Sequence, residues 1–196
     1  MEHSQRADIG AIDVSEQMSR QRPTLQLGDW KIATNLTATR SLQNDPSYPA
    51  HRCECHWCVE WTRLHAAILP PAILSQFSRI GILPSHPTDL YKYGSDATSD
   101  HLRVIFSIVG RVMCGPDTWI QSEAFGPSRS YHTLRIDPFL SLVVLRHEDL
   151  HYQAPTSYNP ADGHYLLADF RLAIPFAISA RSDPRIEMPD RPQQAT

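Results

Sequence analysis

Apolar residues recur along this chain with two different periods, and the change of period divides the sequence. Leu25 and Leu27 alternate with polar neighbours, Gly28-Asp29 follows, and Trp30, Ile32 and, less regularly, Leu36 resume the alternation. That pattern predicts two short strands around a turn over residues 24–39. Asn44, Asp45, Pro46, Ser47 and Pro49 then make a loop of turn-forming residues. Past residue 58 the period lengthens to that of a helix. Trp61, Leu64 and Ile68 share one face before Pro70-Pro71 interrupts, and Ile73, Phe77 and Ile80 repeat it, with Gly81 placed for a C-terminal cap.

From His101 onward the signal is that of strands. Residues 102–113 are rich in Val, Ile and Phe, and Gly115-Pro116-Asp117 is a turn before Trp119 and Ile120. Further strands are expected over residues 131–136, 139 to about 150, and 165–176. In the last of these, Leu167, Asp169, Arg171 and Ala173 alternate with Ala168, Phe170, Leu172 and Ile174. The expected fold class is α+β: a mostly antiparallel β-sheet with a short αα unit following a Cys-rich loop. The polar, period-free residues 1–22 and the proline-bearing residues 181–196 read as flexible ends, leaving 23–180 as a single domain.

Composition narrows the function classes. A length of 196 residues with 41% apolar and 20% charged positions suits one ordinary folded domain. The longest apolar runs, near residues 139–145 and 172–178, fall well short of the roughly 18 residues of a membrane span. The net charge is −3, and arginines outnumber the two lysines, Lys31 and Lys92, without forming a run. A phosphate-tracking surface needs clustered positive charge, so neither nucleic acid nor a membrane is expected as a partner. A polar N-terminus without a basic and then apolar segment leads to the expectation of a cytoplasmic, bacterial-type protein.

The strongest local signal is His51-Arg52-Cys53-Glu54-Cys55-His56-Trp57-Cys58, a C-x-C overlapping a C-x-x-C. Three cysteines within six residues close only tiny rings as disulfides, whereas soft thiolates are preferred donors for zinc and iron–sulfur clusters. Zinc is the expected cofactor, in a structural role, held by Cys53, Cys55, Cys58 and His56. His51 and Cys114 are the other candidates for the fourth position. His65 is less suited, because seven helical residues separate it from Cys58, a rise of about 10 Å. Two alternatives stand beside metal. The cysteines pack as small apolar residues, or Cys55 and Cys58, placed just before a helix, form a thiol redox switch. A thioredoxin-like unit is not expected, because residues 44–52 are polar where an apolar strand should enter.

His147-Glu148-Asp149-Leu150-His151 matches H-E-x-x-H, in which a helix puts both histidines on one metal and the glutamate activates its water. Asp137 as cap and Pro138 at the first position would start such a helix. Residues 140–145 read as readily as a buried strand, on which His147 and His151 stand about 13 Å apart and share no ion. His164 is the available third ligand, but Asp162-Gly163-His164 resembles a hairpin turn. Asp89-Leu90-Tyr91-Lys92-Tyr93-Gly94 reads as a loop anchored by its tyrosines. Asn35-Leu36-Thr37 matches a glycosylation sequon by chance, and no P-loop, G-x-G-x-x-G or G-x-S-x-G occurs.

The succession of Cys53-x-Cys55-x-x-Cys58, Leu90-Tyr91-Lys92-Tyr93-Gly94, Val109-Gly110-Arg111 and Gly115-Pro116-Asp117-x-Trp119 resembles small bacterial proteins with an N-terminal CxCxxC cluster and a C-terminal antiparallel sheet. The resemblance spans residues 53–178, carries no activity with it and implies the strand form of residues 139–150. The expected function is that of a non-catalytic regulator, adaptor or immunity-type protein that binds a protein partner and contains a structural zinc. A zinc-dependent hydrolase using His147, Glu148 and His151, and a thiol switch at Cys55 and Cys58, are the alternatives.

Overall fold

The computed structural model describes residues 23–122, 128–146 and 154–176. Its elements are strands β1 (Thr24–Leu27) and β2 (Trp30–Thr34), helices α1 (Leu36–Gln43), α2 (His56–Ile68) and α3 (Pro71–Ile80), and strands β3 (Asp89–Ser95), β4 (Ser99–Cys114), β5 (Trp119–Ser122), β6 (Ser128–Tyr131), β7 (Leu134–Arg135), β8 (Leu140–Arg146) and β9 (His164–Pro175). Single 3-10 turns lie at Pro49–Arg52 and Pro160–Asp162. The mixed α+β class expected from the sequence is what forms. Seven strands make one antiparallel sheet in the order β1-β2-β4-β9-β8-β7, with β3 also on β4, while β5 and β6 pair separately.

The long strand β4 is the axis of the sheet. β9 pairs along one side of it from Ser99 to Gly110, while β3 and β2 divide the other side, β3 taking the first half and β2 the last residues. Because side chains alternate between faces, this register collects the even-numbered residues Leu102, Val104, Phe106 and Ile108 with Leu166, Ala168, Phe170 and Leu172, and with Leu140, Leu142 and Val144. Helices α2 and α3 close over that face through Trp61, Ile73, Phe77 and Ile80, and the rings of Phe77, Phe106 and Phe170 meet edge to face at 4.9–5.9 Å. The opposite face has a smaller core of Ile105, Val109, Val143, Leu145 and Leu167, covered by Leu42 of α1 and by Tyr48.

The helical pair forms as its periodicity predicts. Pro70-Pro71 separates α2 from α3, and Gly81 ends α3 in the left-handed conformation (φ 76°) that a glycine adopts without strain. Three expectations change. Residues 36–43 are helical where strand was expected to run on, because the Asn35 side chain caps the turn by accepting from the Ala38 N–H. The buried face of α1 is mostly polar, with Thr39 and Gln43 beside Leu42, so an apolar count misses it. The Asp89–Ser95 stretch is a strand and not a loop, with Leu90 its one buried apolar residue. Residues 131–136 do not form a single strand, since Tyr131 ends the separate β5–β6 ribbon and only Leu134–Arg135 joins β8.

Truncating the aromatic centre should therefore be far more costly than truncating an exposed apolar residue. Phe106→Ala is expected to lower the unfolding free energy by about 3–5 kcal/mol. Met113→Ala, at a residue 58% exposed, should change it by less than about 0.5 kcal/mol. Urea denaturation followed by circular dichroism checks both.

Candidate metal centre

A buried polar cluster holds the chain that leads into the cysteines. The Tyr165 hydroxyl lies 2.7 Å from Ser107 Oγ and 3.4 Å from the Tyr48 hydroxyl, and Thr88 Oγ1 donates to Ser107 Oγ at 2.9 Å. Burial pushes the ionisation of both Tyr48 and Tyr165 upward, so the hydroxyls remain protonated partners. The Asp45 carboxylate accepts from the Ser157 hydroxyl and from the Ser47 N–H at 2.8 Å, closing the turn before Tyr48. The His51 ring packs edge-on against Tyr48 at 5.4 Å, so the turn Pro49–Arg52 is tied to the sheet before Cys53 is reached.

Helix α2 starts three residues earlier than the apolar period shows. Cys55 is its N-cap residue without a side-chain capping bond, and Cys58 lies in the first turn. The Val59 N–H donates to the Cys55 carbonyl at 3.1 Å. The three Sγ atoms of Cys53, Cys55 and Cys58 lie within 4.8 Å of one another. A tetrahedral zinc–thiolate site has sulfurs about 3.8 Å apart, so a small contraction brings all three onto one ion. Cys53 and Cys55 are exposed and Cys58 is half-buried. Burial acts to raise the Cys55 thiol, but hydrogen bonds from Cys53 and Cys58 and from the Cys58 and Trp57 N–H groups outweigh it, and the thiol ionises below its ordinary range. Cys58 moves far upward, through burial first and then through its hydrogen bonds to Cys53 and Cys55.

The other candidate ligands take distinct positions. His51 borders a cavity of about 160 Å³ whose walls include Cys53, Cys58, Trp61 and His86, and its Nε2 is buried without a hydrogen-bond partner. The His86 ring stands edge-on to His51 at 6.1 Å, and nothing in the sequence pattern singled it out. His56 is exposed, with its ring 4.8 Å from that of Trp57. His65 Nδ1 sits 3.2 Å from the Trp61 carbonyl, within its own helix. Cys114 does not join the cluster: it ends β4 opposite Lys31, and its sulfur is not among those at ligand spacing. Among the described residues, Cys53, Cys55 and Cys58 are the one group of three or more metal-capable side chains at ligand spacing.

His147, Glu148 and His151 lie outside the described residues. The helix that would have led into them does not form, since Leu140–Arg146 is strand, in register with β9 from Leu140 opposite Leu172 to Arg146 opposite Leu166. Asp137 caps no helix; its carboxylate accepts from the Phe139 N–H at 2.7 Å and turns the chain into β8. β-branched and leucine side chains at 140–145, buried on both faces, favour this outcome. His164 is exposed at the start of β9, opposite Gly110. No helix of the described residues is long and apolar enough to cross a membrane. Comparison with known proteins returned no matching family model, curated protein or solved structure.

The ordering of the thiols has a direct chemical readout. In metal-free, reduced protein at neutral pH, iodoacetamide should modify Cys55 well before Cys58, as peptide mass spectrometry of timed samples would show. Equal rates at the two positions would contradict the ordering.

Proposed function

We infer that this chain is a metal-dependent binding protein: a zinc ion held by Cys53, Cys55 and Cys58, with a neighbouring histidine in the fourth position, secures the surface through which it engages a protein partner. The observation that carries the reading is the mutual approach of the three sulfurs at the entry of α2. The Trp57 and Cys58 N–H groups that reach the Cys55 sulfur, and the positive end of the helix dipole at this turn, favour thiolate over thiol. Zinc suits a soft, sulfur-rich donor set with tetrahedral spacing, and a site closed by four protein ligands is structural. Such a site contributes on the order of 10 kcal/mol of apparent binding energy to the folded state.

Two histidines compete for the fourth position. His56 is adjacent in sequence and free to move, whereas the cavity shared by His51, Cys53 and Cys58, with the unpaired Nε2 of His51, favours His51. Coordination would give that buried nitrogen the partner it lacks. Val59, half exposed on the wall of that same cavity, supports a protein as the partner. A second reading, a thiol switch, is favoured by the approach of the Cys55 and Cys58 sulfurs to within 4.8 Å of each other, with the Cys55 thiol shifted down and Cys58 up. In it, the Cys55 thiolate and Cys58 thiol form a disulfide, passing two electrons to an oxidant such as hydrogen peroxide, which leaves as water.

Elemental analysis and cobalt substitution test the site. The wild-type chain should bind one equivalent of zinc, and its cobalt form should show strong thiolate-to-cobalt charge transfer with the visible spectrum of a tetrahedral ion. Cys58→Ser should abolish both, and chelation should lower the melting temperature of the wild type. His51→Ala should alter the visible bands and weaken affinity at least tenfold, with His56→Ala close to wild type; the reverse result would assign His56. Metal-free wild-type protein that forms a Cys55–Cys58 disulfide reversibly would favour the switch.

A further inference from the structure

The register of the central strands creates an unbalanced charge on the odd-numbered face of the sheet. Arg103 of β4 stands directly opposite Arg171 of β9, and Ser141 of β8 is opposite Arg171 on its other side. Like charges directly across two strands repel. Asp169, with no exposed surface, lies two residues before Arg171 on the same face, and Arg103 takes most of its capacity. Arg103 Nε donates to Oδ1 at 3.1 Å, Nη2 donates to Oδ2 at 2.5 Å, and Nη1 donates to the Tyr91 hydroxyl.

Arg171 has much less. Its Nε is 3.7 Å from Asp169 Oδ2, too far for a hydrogen bond, and its guanidinium lies 5.7 Å over the Tyr131 ring. That Nε is buried and without a hydrogen-bond partner. Among the described residues Asp169 is thus the one carboxylate paired with either guanidinium, and Arg171 opens, with Arg135 and the Asp137 carboxylate, onto a cleft of about 390 Å³ lined also by Tyr93, His101, Phe139 and Ser141. Arg135, on the cleft wall, donates among the described residues to the carbonyls of Asp137 and Pro138, at 3.3 and 3.5 Å. His101 is already paired with Asp96 at 2.9 Å, and the carboxylate of the lining residue Asp137 accepts from the Phe139 N–H. Tyr93 and Phe139 expose about half of their surface at the opening.

We propose that this cleft binds a small organic anion, a carboxylate or phosphate group on a flat apolar body, with Arg171 and Arg135 holding the anionic group and Tyr93 and Phe139 flanking the body. A guanidinium presents a planar fork that matches both anions, and a bound anion would take the Arg171 Nε donor that Asp169 leaves unused and the Arg135 donors now turned to carbonyls. The volume is at the size of small-molecule sites. The cleft is built by β3, β4, β7, β8, β9 and the turn before β8, and none of its lining residues belongs to the cysteine site.

Calorimetric titration of the full chain at constant ionic strength tests this with phenyl phosphate and benzoate as probes, inorganic phosphate as the anionic group alone, and benzyl alcohol as the body alone. Phenyl phosphate, benzoate or both should bind saturably in the millimolar range or tighter, about tenfold or more above either half-probe. Arg171→Gln and Arg135→Gln should each weaken that binding by about tenfold or more, whereas Arg111→Gln, outside the cleft, should leave it unchanged. Arg135 is exposed, so its variant reports on the cleft even if Arg171→Gln melts early. The proposal is overturned by absence of saturable binding of both aryl anions, by unchanged affinity in Arg135→Gln, or by inorganic phosphate binding as tightly as phenyl phosphate.

Discussion

Twelve consecutive residue pairs join β4 to β9, from Ser99 opposite Pro175 to Gly110 opposite His164, and most other features of the molecule depend on that register. A shift of β9 by one residue would turn that strand's two faces over. Phe170 would leave the core under the helices, and Asp169 and Arg171 would enter it. Placing those charges in the aromatic cluster, with Asp169 parted from Arg103, would cost several kcal/mol per charge. Apolar burial on the even face and charge on the odd face thus enforce the same pairing. At 16 residues β4 is long enough for β3 and β2 to pair with different stretches of its other side, Asp100 to Ile105 and Gly110 to Cys114.

The helices depend on the sheet more than on their own propensity. α1 has no apolar stripe, and its Thr39 is held by accepting from the Val109 N–H and donating to the Val109 carbonyl. α2 buries Trp61 and sends the indole N–H to the Pro84 carbonyl at 2.8 Å, which places the 82–87 segment beside the cysteines. In the first turn of α2, Cys55, His56 and Val59 are exposed while Trp57 and Cys58 pack against the main core. A metal bound there would tie the exposed sulfurs of Cys53 and Cys55 to that packed residue pair.

What was legible in the sequence follows the same division. The alternation of Leu167, Asp169, Arg171 and Ala173 against Ala168, Phe170, Leu172 and Ile174 already separated the charged face from the core face, and α2, α3 and the antiparallel character were readable from period and punctuation. α1 and β3 were not, because their buried positions are polar or few and their partners are distant in sequence: Val109 for Thr39, Arg103 for Tyr91. The cysteines were legible as a site because their spacing is local. His86 was not, since only folding brings it beside His51. The pairing of Arg103 with Arg171 was equally hidden, as register is a tertiary property.

The cysteine turn and the charged face are joined by a continuous set of contacts through β3. Trp57, between Cys55 and Cys58 in sequence, lies 5.7 Å from Lys92 Nζ, and Lys92 pairs at 2.5 Å with Asp100, whose side chain is fully buried. A carboxylate buried that deeply is costly without a nearby cation, so Lys92 is held in place, and with it β3. One residue to either side of Lys92, on the other face of that strand, Tyr91 receives a hydrogen bond from Arg103 and Tyr93 walls the cleft. Securing the first turn of α2 secures the indole that covers Lys92, and securing Lys92 sets which face Tyr91 and Tyr93 present. The cysteine turn and the cleft lie on different sides of the sheet, yet both adjoin β3 in the register in which Lys92 reaches Asp100.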